Sequence, residues 1–135
     1  MSNQHLRLLA VDDDASSAEL IVRVAERCGY EAFATSDSRG VVSLAKALNP
    51  EIMAVDINMP NVDAVGLFGL LAEARYAGRI LIVSGEDESV LRATQARAEA
   101  LGLRVPYVQQ KPLDFKKLRD MLMDRDVRSV SASAA

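Results

Sequence analysis

The sequence predicts an α/β protein: a single doubly wound (βα)5 domain whose parallel five-stranded sheet has the order 2-1-3-4-5. Three observations carry that prediction. Short apolar runs alternate five times with stretches whose apolar residues recur three and four positions apart, the pattern of strand followed by helix. Gly29, Pro50, Pro60, Gly78, Gly102 and Pro112 punctuate the junctions. The first, third and fourth runs are the most apolar and belong at the centre of the sheet, leaving the weaker second and fifth at its edges. With 135 residues, half of them apolar, the chain can bury one core without help from metals or disulfides.

Taken in order, residues 6–11 (LRLLAV) form a buried strand that ends in Asp12, Asp13 and Asp14. Residues 15–28 place Leu20, Ile21, Val24, Ala25 and Cys28 on one helical face, and Gly29 stops the helix. Residues 31–35 are an edge strand. Ser36 or Asp37 caps a helix whose face is Val41, Val42, Leu44, Ala45 and Leu48, closed by Asn49-Pro50. Ile52 to Val55 is a flat apolar run ending on Asp56. Ile57, Asn58 and Met59 follow, and Pro60, which has no amide hydrogen, turns the chain into a loop. A helix over 64–76 offers Val65, Leu67, Leu70, Leu71 and Ala74 for burial, with Gly78 as its stop. The strand 80–83 ends at Ser84-Gly85. A helix over 86–101 carries Val90, Leu91, Thr94, Ala98 and Leu101, and Gly102 closes it. A short strand at 105–108, the pair Lys111-Pro112 and a helix over 113–125 complete a flavodoxin-like fold. The expected organisation is a disordered N-terminus (1–5), one domain (6–125) and a flexible Ser/Ala-rich tail (126–135).

Composition removes several functions. A net charge of −3 and a pI near 5.2 argue against direct nucleic-acid binding. No window approaches a membrane span and no signal-peptide pattern opens the chain, so a cytoplasmic protein without membrane insertion is expected. The single Cys28 excludes an internal disulfide and sits on an apolar face; His5 lies in the polar N-terminus with nothing nearby to orient it as a base.

In a parallel sheet every strand delivers its C-terminal end to one rim, where ligands collect at the switch point. The polar residues just past those ends are Asp12 and Asp13, Asp56, Ser84 and Lys111. Singly, each has a plain structural reading: helix cap, turn or exposed loop. Together, on one rim, they point to a site. Three carboxylates in one cleft need a cation, because two of them about 4 Å apart repel by roughly 4 kcal/mol at an effective dielectric near 20. Ligands that are all oxygen favour a hard ion such as Mg²⁺. Lys111 and the Ser84 hydroxyl then suit an oxyanion such as a phosphoryl group, which leaves Asp56 as the nucleophile that forms an acyl phosphate.

These residues resemble the receiver domain of two-component response regulators (CheY-like). The resemblance covers about residues 6–125 and rests on Val11-Asp12-Asp13, on Val55-Asp56-Ile57-Asn58-Met59-Pro60 with Asp63 following, on Val83-Ser84-Gly85 and on Lys111-Pro112. It implies that Asp56 accepts a phosphoryl group from the phosphohistidine of a sensor histidine kinase or histidine phosphotransfer protein. It also implies that Asp13, Asp56 and the Asn58 carbonyl bind Mg²⁺ with Asp12 assisting through water, and that Ser84 and Lys111 hold phosphoryl oxygens. Asn58 and Glu86 stand where the family tunes phosphoryl lifetime. Val108 stands where it commonly has a switching aromatic, with Tyr107 one place early, and Ala64 where it usually has glycine. Such a domain is no turnover enzyme: it catalyses only its own phosphorylation and dephosphorylation, and passes the signal to a downstream protein or output domain, here unknown. The residues 86–125 are the expected partner surface, and a homodimer is left open. Two other readings are a degenerate receiver used for docking and a small aspartate-nucleophile phosphatase. The latter lacks a general acid at Asn58. A nucleotide site has no Gly-rich loop after the first strand.

Overall fold

The structure, a computed structural model, describes residues 6–59 and 64–124. Expectations for the two termini, for Pro60 and Asp63, and for the helix end at residue 125 fall outside the described residues.

The strands are β1 (Leu6–Val11), β2 (Tyr30–Thr35), β3 (Ile52–Asp56), β4 (Arg79–Ser84) and β5 (Arg104–Gln110). The helices are α1 (Ala15–Arg27), α2 (Val41–Leu48, entered through a 3-10 turn at Ser38–Gly40), α3 (Ala64–Glu73), α4 (Glu88–Ala100) and α5 (Phe115–Leu122). All strand pairings are parallel, in the order β2-β1-β3-β4-β5. The period-two alternation of the strands divides the core. Leu9, Val11, Met53, Val55, Ile80 and Ile82 face α2, α3 and α4, whose Val41, Phe68 and Leu91 cover them. Leu8, Ala10, Ile52, Ala54, Leu81 and Val83 face Ile21 and Val24 of α1 and Leu118 and Leu122 of α5. Every residue of β3 is buried, as expected for a central strand covered on both sides.

Three aspartates start helices. Asp14 accepts the Ser16 amide at 3.0 Å, Asp114 accepts the Lys117 amide at 3.1 Å, and Asp37 accepts the Arg39 amide at 2.9 Å. Asp14 therefore takes the capping role among the three consecutive acids, which leaves Asp12 and Asp13 for the rim.

The helical faces of α3 and α4 differ from expectation. Val65 and Leu70, expected inside, are exposed, as are Val90 and Leu101; Phe68, which the periodicity did not select, is completely buried. Glu73 is the only polar residue between Ala64 and Glu73, so α3 has no polar face from which to set its phase. The helix also ends before Gly78. Arg75 adopts φ 58°, and the Tyr76 and Arg75 amides donate back to the Leu71 and Ala72 carbonyls, both at 3.0 Å. This is a Schellman stop with arginine in the left-handed position usually held by glycine.

Gly78 has a different task. A Cβ there would lie 2.3 Å from the Tyr76 hydroxyl and 2.5 Å from the Pro50 carbonyl oxygen. Glycine lets that hydroxyl reach Pro50, to which it donates at 3.0 Å. Burial of the phenol, with help from the nearby Glu51 charge, pushes the Tyr76 pKa well above its ordinary 10.0. Because the folded pKa exceeds the unfolded one, this stabilisation is whole below pH 10 and is lost as pH rises further. Urea titrations above pH 10 should show wild type losing up to about 1.4 kcal/mol per pH unit more than Tyr76→Phe. Parallel pH curves for the two proteins would contradict the assignment.

Candidate functional site

Strand register builds the rim. Val11 pairs with Val55, so Asp12 leaves β1 beside Asp56 at the end of β3. Asp56 pairs with Val83, and Ser84 with Gln110, so Ser84 and Lys111 follow one step further along the same rim. Carboxylate oxygens of Asp12, Asp13 and Asp56 lie within 4.8 Å of one another. Asp12 is 2% exposed and Asp56 3%, whereas Asp13 opens to solvent.

Lys111 holds the two buried acids. Its Nζ lies 3.1 Å from Asp56 Oδ2, 3.3 Å from Asp12 Oδ1 and 3.0 Å from Asp12 Oδ2. The backbone fixes the remaining oxygens. The Asn58 amide donates to Asp56 Oδ1 at 2.8 Å, and the Asp14 amide donates to Asp12 Oδ1 at 2.9 Å. Asp12 Oδ2 is buried and, though close to the ammonium, accepts no aligned hydrogen bond among the described residues.

Burial raises the Asp12 pKa above the ordinary 3.8 and the Asp56 charge adds to it, against the bonds from the Asp14 amide and Lys111. For Lys111, burial alone would lower the pKa. The bonds to Asp12 and Asp56 outweigh it and hold the ammonium above its ordinary 10.5. An all-oxygen donor set, one buried carboxylate oxygen without an aligned hydrogen bond among the described residues and mutual repulsion between acids together fit a hard divalent cation.

The other expected residues are placed as follows. Ser84 is fully buried; its carbonyl accepts the Lys111 amide at 2.7 Å, and its Oγ accepts the Glu86 amide at 3.1 Å, closing a turn at the end of β4. Asn58 and Glu86 are exposed. Val108 packs on the α2–α4 side of the sheet, and Tyr107 on the α1/α5 side with its hydroxyl donating to Asp124. Gln109, not singled out by the sequence, is buried beside them. The signal that could have found it is its place in the alternation, two residues after inward-facing Tyr107.

Fold and rim thus define a doubly wound α/β protein with an acidic, lysine-bridged site at the switch point of its sheet. Residues 8–123 match the family of response regulator receiver domains, and the chain belongs to that family. It is a receiver domain of two-component response regulators, a signalling domain. The positive alginate biosynthesis regulatory protein of Pseudomonas aeruginosa is 30% identical over 111 residues, which span 80% of this chain and 44% of that regulator. The chain spans less than half the length of the first curated relatives it matches. A response regulator from Colwellia psychrerythraea aligns with a TM-score of 0.78 at 25% identity, covering 96% of this chain and 99% of that one. A response regulator protein from Burkholderia pseudomallei, whose structure holds a phosphorylated aspartic acid, a calcium ion and citrate, aligns with a TM-score of 0.72 at 25% identity. That match covers 96% of this chain and 73% of that one. Among the described residues, no helix is long and apolar enough to cross a membrane.

Proposed function

We propose that Asp56 accepts a phosphoryl group from the phosphohistidine of a sensor histidine kinase or histidine phosphotransfer protein, in a Mg²⁺-dependent reaction that switches a partner-binding surface. The observation that carries this reading is the Lys111 ammonium set between two buried carboxylates, Asp12 and Asp56. The phosphorylated aspartic acid in the Burkholderia pseudomallei relative supports it.

In the transfer, an Asp56 carboxylate oxygen bonds to phosphorus as the phosphorus–nitrogen bond of the donor breaks, and that bond's electron pair leaves on the imidazole. Asp56 contributes no proton, because it attacks as the carboxylate. Asp13, Asp56 and the Asn58 carbonyl, with Asp12 through water, would hold Mg²⁺, which neutralises charge on the acids and on the transferred group. Lys111 pairs with a phosphoryl oxygen. Ser84 bonds another, turning its hydroxyl from the Glu86 amide. Asn58 and Glu86, both at the solvent edge, set how readily water reaches the acyl phosphate and so tune its lifetime. With Val108 in place of an aromatic, the signal passes through Ser84 and the Lys111 loop toward residues 86–124, where a downstream protein, an output domain or a second copy would read it.

Incubation with Mg²⁺ and acetyl phosphate should add one acid-stable, base-labile phosphoryl group per chain, read by intact-protein mass spectrometry. No label from acetyl phosphate or from any candidate kinase, in a protein that binds Mg²⁺, would overturn the reading.

A further inference from the structure

Among the described residues, four polar or charged side chains are buried: Asp12, Asp56, Ser84 and Gln109. Three belong to the rim. Gln109 is 6% exposed, its Oε1 has no hydrogen-bond partner among the described residues, and its Nε2 bonds to the Asp114 carbonyl rather than to either acid. A half-satisfied buried amide opposes stability, and an apolar residue would pack better beside Val83, its partner on β4.

Among the described residues its side chain makes one hydrogen bond. Gln109 Nε2 donates to the Asp114 carbonyl at 3.3 Å, and Asp114 is the residue that caps α5. The bond ties the end of β5 to the start of α5 across the segment that carries Lys111. Inside that closed loop, the Lys111 amide is itself fixed to the Ser84 carbonyl at 2.7 Å. Lysine has a long flexible stem, so the place from which it starts decides whether one ammonium meets Asp12 and Asp56 together.

We propose that Gln109 is a positioning residue for Lys111: its side-chain amide clamps the β5–α5 loop so that the ammonium is aimed at the phosphoryl-accepting site. This rests on the phosphoryl-transfer reading above and adds to it a residue that acts only through the lysine. A clamp of this kind sacrifices stability for placement, and the two effects are separable.

The test replaces Gln109 with methionine, which matches its length but has no amide. Expected are a thermal midpoint equal to or above wild type and unchanged Mg²⁺ affinity, with phosphorylation by acetyl phosphate slowed about tenfold, since misplacing a catalytic group by a fraction of an ångström has effects of that order. In a Lys111→Met background, Gln109→Met should slow the reaction no further. Equal slowing in both backgrounds, or none in either, would overturn the proposal while leaving phosphoryl transfer intact. If wild type takes up no phosphoryl group, the function has failed, and the Lys111 ¹⁵Nζ resonance decides the clamp: displaced in Gln109→Met, it upholds the clamp; unmoved, it removes it.

Discussion

Asp56→Asn is expected to take up no base-labile phosphoryl group under conditions that label wild type to completion. The amide oxygen lacks the charge of a carboxylate, and its lone pairs are drawn into the amide bond, so no stable acyl phosphate can form. The fold should survive the change. The asparagine oxygen can still accept the Asn58 amide, now 2.8 Å from Asp56 Oδ1, and Lys111 keeps its contact with Asp12. Loss of the Lys111–Asp56 attraction is offset by loss of the Asp12–Asp56 repulsion, so stability should change by no more than about 1 kcal/mol. Mass spectrometry after acetyl phosphate treatment, beside urea unfolding of both proteins, checks the two halves together. An equal label on the variant would move the nucleophile elsewhere, with the buried Ser84 hydroxyl the first candidate.

Lys111→Ala should have the largest effect on stability, and an unusual one, because Mg²⁺ should largely reverse it. Removing the ammonium leaves Asp12 and Asp56 facing each other with oxygens within 4.8 Å. At an effective dielectric near 20, unit charges at that distance repel by roughly 3.5 kcal/mol. Breaking a buried ion pair by removing one partner typically destabilises by about 3–5 kcal/mol. In metal-free buffer the variant should unfold at markedly lower urea than wild type. A divalent ion binds only the folded acid cluster, and saturation at a hundred times its dissociation constant returns about 2.7 kcal/mol. Wild type should respond less, since its lysine already neutralises part of the charge the ion would meet. A variant as stable as wild type without Mg²⁺, and indifferent to it, would mean the two acids are not charged together. Phosphoryl transfer should stay slow in the variant even at saturating Mg²⁺.

The fold was legible because its signals are redundant. Five strands and five helices repeat one alternation, and the difference between flat apolar runs and weaker ones placed each strand correctly from centre to edge. The rim followed from topology, since strand ends share a side and Asp12, Asp13, Asp56, Ser84 and Lys111 are among the polar residues there. Less was legible where one signal stood alone. In α3 the burial of Phe68 over Leu70 depends on phase, and a helix with a single polar residue does not display one. Its stop at Arg75 was hidden because a left-handed arginine looks like any other helical arginine in sequence. Gln109 is less legible for a related reason: a glutamine on an edge strand is ordinarily solvent-facing, and the alternation from Tyr107 is the one sequence signal against that, matched by its burial and its contact with Asp114.

The position of Lys111 just past the last strand has a consequence for assembly. Asp12 follows the first strand and Asp56 ends the third, and those strands pair directly, whereas Lys111 is separated from the two acids by 99 and 55 residues of chain. Asp12 and Asp56 are themselves 44 residues apart, so loop length alone favours their meeting before Lys111 by only about 0.2 kcal/mol. A state in which the two acids have met before the lysine docks carries unbalanced negative charge at the future site. A divalent cation should favour such a state more than the finished protein, in which Lys111 already sits between the acids, and refolding with and without Mg²⁺ would read the difference as a rate.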